Sequence, residues 1–265
     1  MKNIFSENQK YWINRAKGYS EVNKEELSGI QKNTWTEFLT GEIDKIFPGK
    51  VRSDIRVLDV GAGPGFISII LAQAGYKVTA LDYADTMIDE ARANAKACKD
   101  SGVLLNDIEF IQSDAQELPF DKESFDVVLS RNLTWNLPDP KKAYESWLRV
   151  LKKHGLMLIF DANWYAYLID EEKRKGYQKD RENVQNSNLE DYNIGDDFER
   201  MEEIALDMPM TKRNRPDWDV QYLKSISAGE VTSLGDVGSI LYSEKEKINY
   251  SSTPMFMVRV VKGSC

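Results

Sequence analysis

One histidine and two cysteines in 265 residues leave little chemistry for metals or disulfides. Cys98 and Cys265 stand far apart with no C-x-x-C partner. That argues against a disulfide framework and a zinc site, and no metal is expected; a reducing, cytoplasmic setting is. No apolar run approaches the roughly 20 residues of a membrane span. Met1-Lys2-Asn3-Ile4-Phe5 lacks the apolar stretch and small-residue cleavage site of a secretory leader. Basic charge is short as well, with 35 Lys and Arg against 43 Asp and Glu for a net −8. The molecular field therefore opposes nucleic acid and anionic lipid. The two local basic runs, Lys152-Lys153 and Lys212-Arg213-x-Arg215, are expected on solvated surface. No internal repeat or low-complexity tract occurs.

What is present is ordinary globular composition, 42% hydrophobic and 29% charged, enough for one α/β domain with an appendage. Leu27, Ile30, Gln31, Thr34, Trp35 and Phe38 recur at helical spacing, with Gly41 a candidate stop and Pro48-Gly49 a firm one. From residue 55 strands and helices alternate. Strands are predicted at Ile55–Val60, Lys77–Asp82, Ile108–Gln112, Phe125–Ser130 and Gly155–Asp161. Helices are predicted at Gly65–Ala74 and Thr86–Lys99, and another from Asp139-Pro140, an acid cap followed by proline. Near-continuous apolar strands imply a parallel sheet covered on both faces. Residues 163–217 are rich in charge, Asn, Tyr and Met and are expected to form short helices. Strand character returns at Val220–Ile226 and Met255–Val261. The expected division is 1–50, an N-terminal helical cap; 51–162, the core; 163–217, a helical lid; and 218–265, strands completing the sheet.

The most informative segment is Val57-Leu58-Asp59-Val60-Gly61-Ala62-Gly63-Pro64-Gly65-Phe66. A buried strand breaks into a glycine turn and re-enters an aliphatic helix, so a ligand there meets a helix N-terminus at a strand's carboxyl end. The dinucleotide fingerprint needs a third glycine where Phe66 stands, and Pro64 removes a donor a pyrophosphate uses. No Gly-Lys-Ser/Thr follows, which excludes a Walker A loop. A glycine turn with no ligand is the plain structural alternative.

The D-x-G-x-G-x-G pattern resembles motif I of class I S-adenosylmethionine (SAM)-dependent methyltransferases. The resemblance extends over residues 10–162, through Asp82 at the end of strand two, Ser113-Asp114-Ala115-Gln116-Glu117-Leu118-Pro119-Phe120 after strand three, and Ser130-Arg131-Asn132 after strand four. It continues through Leu137-Pro138-Asp139-Pro140 to Lys153-His154-Gly155. Trp12-x-x-Arg15-Ala16-x-x-Tyr19 is similar to the N-terminal element of the small-molecule, type 11 methyltransferases related to quinone biosynthesis. The implied fold is a Rossmann-like, doubly wound, mostly parallel seven-stranded sheet whose last two strands pair antiparallel.

The resemblance implies SAM as cofactor and S-adenosylhomocysteine as product. Asp59, Gly61, Ala62, Gly63 and Gly65 lie under the amino-acid part, with Tyr19 and the Ser130–Arg131 backbone beside it. Asp82 accepts the ribose hydroxyls, a role compatible with capping the next helix. Tyr83 and Met87 flank the nucleoside, and Asp114 and Ala115 meet the adenine. Trp12, Trp135, Trp164 and Tyr165 border the acceptor, and Arg131, Asp161 and Tyr165 are the candidates for assisting its chemistry. His154 is expected to be an exposed turn residue. The expected activity is methyl transfer to a small molecule by a monomer or homodimer. A non-catalytic SAM-binding protein is the alternative, and an NAD oxidoreductase a remote third.

Overall fold

The structure is a computed structural model that describes residues 4–103, 106–193 and 198–264, without the side chains of Ile4 and Phe5. Met1-Lys2-Asn3, Cys265 and positions 194–197 of the helical insertion lie outside the described residues. Seven strands form one sheet: β1 (Arg56–Val60), β2 (Lys77–Asp82), β3 (Ile108–Gln112), β4 (Phe125–Arg131), β5 (Leu151–Asp161), β6 (Gly229–Leu234) and β7 (Phe256–Lys262). Their order is β3-β2-β1-β4-β5-β7-β6. β1 to β5 pair in parallel. β7 runs antiparallel to both β5 and β6, as the resemblance implies. The chain winds outward from β1 to β3, then returns to β4 on the other side of β1. That reversal opens a crevice at the carboxyl ends of β1 and β4, the place where open α/β sheets bind ligands.

Strand side chains alternate between faces with a period of two. Val57, Val127, Leu129, Leu158 and Phe160 turn to one face, covered by Trp35, Leu39 and Ile43 of α2 (Ile30–Ile46) and Ile67, Ile70 and Leu71 of α3 (Phe66–Gln73). Leu58, Val60, Val128, Met157 and Ile159 turn to the other, against Tyr144 and Trp147 of α5 (Pro140–Val150) and Leu223 of α8 (Asp217–Ser225). The predicted cap of α5 is present, with Asp139 accepting from the Lys142 N–H and Pro140 in the first turn. α4 (Asp85–Asp100) buries Met87, Ile88, Ala91 and Ala95.

The N-terminal segment is two helices, α1 (Ile4–Ser28) and α2, broken at Gly29. Gly41 does not stop α2, which runs on to Ile46 before Pro48-Gly49. Glycine inside a helix costs about 1 kcal/mol, and burial of Trp35, Leu39 and Ile43 on one stripe outweighs it. β5 begins at Leu151, ahead of the predicted Gly155. Phe125 pairs with Leu151 and Val127 with Leu156, so the residues between bulge out of the ladder. His154 sits in that bulge, exposed, at φ +60°.

Val220–Ile226 is a helix, not a strand. Asp217 and Asp219 occupy its first turn, where acids favour helix N-termini, and Val220 and Leu223 recur at helical spacing. The sixth strand is Gly229–Leu234, an edge strand that buries only Val231, so its sequence carries almost no apolar alternation. The insertion holds α6 (Glu171–Asn186) and α7 (Phe198–Asp207); α9 (Gly238–Leu241) and α10 (Glu244–Asn249) separate β6 from β7.

Arg215 overturns the expectation of a solvated basic surface. It is 3% exposed. Its guanidinium donates to Asp161 Oδ2 at 2.9 Å, to both oxygens of Asp219 at 2.9 Å and to Thr134 Oγ1 at 2.5 Å. Two buried carboxylates flank the cation, which the run Lys212-Arg213-x-Arg215 alone could not disclose. Arg215→Ala is expected to lower the unfolding free energy in urea by about 3–5 kcal/mol, the cost of buried charges left unpaired. A loss under about 1 kcal/mol would place the pair with weak surface bridges instead.

Candidate active site

The β1–α3 turn carries three glycines at positive φ, Gly61 at +71°, Gly63 at +52° and Gly65 at +94°. Side chains strain in that region. At Gly61 a Cβ would also meet Leu133 Cδ2 at 2.7 Å. The turn is tied down from three directions. Gly61 and Ala62 donate their N–H groups to the Leu81 carbonyl at 2.8 and 2.9 Å. Gly63 donates to Asp82 Oδ2 at 2.9 Å, while Asp82 Oδ1 accepts from Ala84 N at 3.0 Å. From α1, Asn23 Oδ1 accepts from Phe66 N at 3.1 Å, capping α3 with a residue 43 positions away.

Beside this turn opens a cleft at the carboxyl ends of β1, β2 and β4. Ten of the sequence-predicted residues line it: Trp12, Tyr19, Gly61, Gly63, Asp82, Tyr83, Met87, Asp114, Ala115 and Arg131. Asp59, Ala62, Gly65 and Ser130 lie behind the wall, in the turn and the strands that carry it. The sequence reading missed Asn8, Gln9, Gln116, Leu133, Asn136 and Pro138, which also line the cleft. A signal existed for one of them. Asn8, Trp12, Tyr19 and Asn23 follow helical spacing, so the face that begins at Trp12 extends one turn back.

Trp135, Trp164, Tyr165 and Asp161 do not line the cleft. Trp135 and Tyr165 pack together with centroids 4.9 Å apart, next to Met201, Ile204 and Met208 of the insertion. Trp164 packs against Tyr250 at 5.1 Å. Asp161 is fully buried: Oδ2 accepts from Thr134 Oγ1, Trp135 N and Arg215 Nη1, and Oδ1 from Ala162 N and Trp164 Nε1. Its oxygens are committed to holding these residues, which leaves little capacity for a proton from a substrate. Burial also pushes the Tyr165 hydroxyl well above its ordinary value, so it stays protonated.

Arg131 reaches the cleft but is already paired with Glu26, 2.5 Å away, and stacks over Trp35 and Phe66 at 4.7 and 5.3 Å. Burial disfavours its charge, yet Glu26 outweighs burial and the guanidinium is held more firmly protonated than usual. Asp82 is raised by burial, against the N–H groups of Ala84 and Gly63 that favour its ionised form.

The cleft also carries unmet hydrogen-bonding capacity. Asn8 Oδ1, Gln9 Nε2, Trp12 Nε1, Arg131 Nε, Asn132 Oδ1 and Asn136 Oδ1 are buried without a partner, and all six residues line it. Each such atom costs about 1–3 kcal/mol. A polar ligand with several donors and acceptors, bearing a zwitterionic tail toward the glycine turn, fits this set. The residues present therefore suit SAM.

Asp59 stands directly under the turn, 1% exposed, accepting from Ser68 Oγ at 2.6 Å. Burial, opposed by that hydrogen bond and augmented by Asp82, lifts its carboxyl from 3.8 to about 7. The folded chain thus keeps a proton that the unfolded chain releases between those values. The stability Asp59 contributes is complete below pH 3.8 and is lost as pH rises to about 7. In thermal melts across that window, Asp59→Asn should show a shallower decline in Tm than the parent chain. Parallel declines would contradict the assignment.

Comparison with known proteins agrees with this geometry. Residues 58–159 match the family model described as a methyltransferase domain. The chain is 37% identical over 106 residues to a demethylmenaquinone methyltransferase of Clavibacter sepedonicus, covering 39% of this chain and 40% of that protein. It is 35% identical over 114 residues to the ubiquinone/menaquinone biosynthesis C-methyltransferase UbiE of Idiomarina loihiensis, covering 42% and 44%. The match spans about half or less of the length of these curated relatives. Among solved structures, a proposed SAM-dependent methyltransferase of Methanococcus maripaludis superposes with a TM-score of 0.58 at 17% identity, over 96% of this chain and 94% of that one; at this identity the likeness is one of fold. Residues 58–159 thus carry the likeness to a methyltransferase domain, on a fold shared with SAM-dependent methyltransferases.

Proposed function

We propose that this chain transfers a methyl group from SAM to a small-molecule acceptor. The observation that carries the reading is the glycine turn at the sheet's switch point, closed by Asp82 and facing a cleft lined with unpaired polar atoms. When bound, SAM supplies a sulfonium-activated methyl group. The glycine turn offers backbone to the cofactor's amino-acid part, with Asp59 and Ser130 supporting it from behind. Tyr19 and Arg131 face the carboxylate end. Asp82 has lone pairs left for ribose hydroxyls after binding Gly63 and Ala84. Tyr83 and Met87 flank the nucleoside, and Asp114 and Ala115 meet the base.

In-line displacement at such a centre needs chiefly proximity and alignment. A base is required only for an acceptor that must still lose a proton. With Asp161 locked and Tyr165 protonated, the acceptor arrives already nucleophilic: a free amine, a thiolate, an enolate or an ionised hydroxyl. Of the four aromatics expected beside the acceptor, Trp12 lines the cleft, and Trp135, Trp164 and Tyr165 pack outside it. The division of labour is a cap (1–50), a cofactor-binding core (51–162), a lid (163–217) and a segment completing the sheet (218–265). The net charge of −8 opposes nucleic acid. No helix among the described residues is long and apolar enough to cross a membrane. A cytoplasmic monomer or homodimer acting on a metabolite suits both.

Calorimetric titration tests the reading. The chain is expected to bind SAM and S-adenosylhomocysteine but not NAD. Asp82→Ala should weaken binding of both sulfur compounds by about 1–3 kcal/mol, because the turn and the ligand each lose an acceptor. Binding of NAD alone would overturn the reading, and unchanged affinity in the variant would remove Asp82 from the site.

A further inference from the structure

Arg131 and Tyr19 line the cofactor cleft, and both also face side chains that do not. Arg131 pairs with Glu26 and feels the charge of Glu246, and Tyr19 faces the same two acids. α2 holds this group together. Gln31 Nε2 donates to Glu246 Oε2 at 2.7 Å, and Arg131 stacks on Trp35, one turn further along the helix. Tyr242 and Tyr250 flank α10 and pack with centroids 5.7 Å apart, and Tyr250 packs on Trp164 at 5.1 Å. Both hydroxyls face Glu246; Tyr242 also faces Arg131, and Tyr250 also faces Tyr19.

Charge in this group does not balance. Glu26 already answers Arg131, and Arg181 is committed to Asp191 and the Asn249 carbonyl. Glu246 has no ion pair among the described residues. Its Oε2 accepts from Gln31 and from Ser243 N and Oγ, the last two at 2.8 Å within the capping box of α10. Its Oε1 accepts from none of the described residues. Hydrogen bonding is incomplete too. Tyr242 is 7% exposed and its hydroxyl has no partner. Tyr19, Trp164, Tyr250 and Glu246 nonetheless keep surface and are only half-buried, so a ligand can reach them.

A desolvated charge calls for a partner, and aromatic faces attract cations. We propose that Glu246, Tyr242, Tyr250 and Trp164 form the acceptor subsite and select an amine. Glu246 Oε1 and the Tyr242 hydroxyl accept from its N–H groups, and the Tyr250 and Trp164 rings cover its carbon atoms. In the transfer the nitrogen lone pair forms the N–C bond as the S–C bond breaks, which leaves a neutral thioether and an ammonium. Positive charge thus moves from sulfur to nitrogen, toward the unbalanced carboxylate. Thiolates, enolates and ionised hydroxyls bring negative charge to two acids and are disfavoured. The inference rests on the methyltransferase reading above and narrows its four acceptor classes to one.

The experiment is calorimetric titration of the full chain saturated with S-adenosylhomocysteine. The probes are benzylammonium, methylammonium as a smaller cation, and benzoate as an anion of similar shape to the first. A cation should bind and benzoate should not. Glu246→Gln keeps the capping box, where Gln serves as well as Glu, and removes only the charge. It should weaken the bound cation about tenfold and narrow the gap to benzoate, with the affinity for S-adenosylhomocysteine unchanged. Tyr242→Phe removes only the unpartnered hydroxyl; it should weaken the cation about threefold, and serves if Glu246→Gln does not fold. Three results would overturn the subsite in a chain that still binds S-adenosylhomocysteine: neither cation binding, benzoate binding in preference, or cation affinity unchanged in both variants. A chain that does not bind S-adenosylhomocysteine would sink the cofactor reading itself, and the subsite with it.

Discussion

A single carboxylate sets the geometry on which the site depends. Asp82 ends β2 and takes the Gly63 N–H on one oxygen and the Ala84 N–H on the other. It therefore fixes the bend after β1 and the start of α4 at once. Three positive-φ residues in five make that bend conformationally costly to order. Without the tie from Asp82 and those from the Leu81 carbonyl, the turn would have no reason to hold one shape. Low local polarity strengthens the tie, and burial also makes the carboxylate costly to leave unpaired.

Around this point the molecule separates two jobs. The sheet edge and α3 build the floor of the cleft, and α1 builds its roof through Asn8, Gln9, Trp12 and Tyr19. Asn23 extends the roof's influence into the floor by capping α3. On the far side, Asp161 and Arg215 lock the Thr134–Asn136 turn and the Trp164 indole to the helical insertion. The wall between cofactor cleft and insertion is thus held by buried charge pairs, while the cofactor end is held by backbone geometry. A buried pair of this kind gives a defined arrangement more than net stability.

The core of the fold was legible because its signals are strong and local. Apolar strands such as Val57–Val60 and Val127–Leu129, the glycine turn and the Asp139-Pro140 cap each state their structure in a few residues. The edge strand β6 was not, because Gly229–Leu234 buries one side chain and has no alternation to read. α8 resembles a strand because Val220, Tyr222 and Ile226 alternate with a period of two, and its helical signals, the acids Asp217 and Asp219 and the Val220–Leu223 spacing, are weaker. At the site, Asp82, Asp114 and the glycines were readable from motif spacing, whereas Asn8, Gln9 and Asn136 belong to no motif. They reach the cleft because α1 folds across 128 positions onto the Thr134–Asn136 turn, a tertiary proximity whose one local trace is the helical register of Asn8 with Trp12.

The most direct test of the central claim is the amide spectrum of the protein labelled with ¹⁵N-glycine, followed as S-adenosylhomocysteine is added. The account predicts that Gly61 and Gly63 shift with the largest amplitudes and that the distant Gly102 and Gly235 stay fixed. Unmoved turn glycines in a protein that nonetheless binds the compound would show that the ligand sits elsewhere.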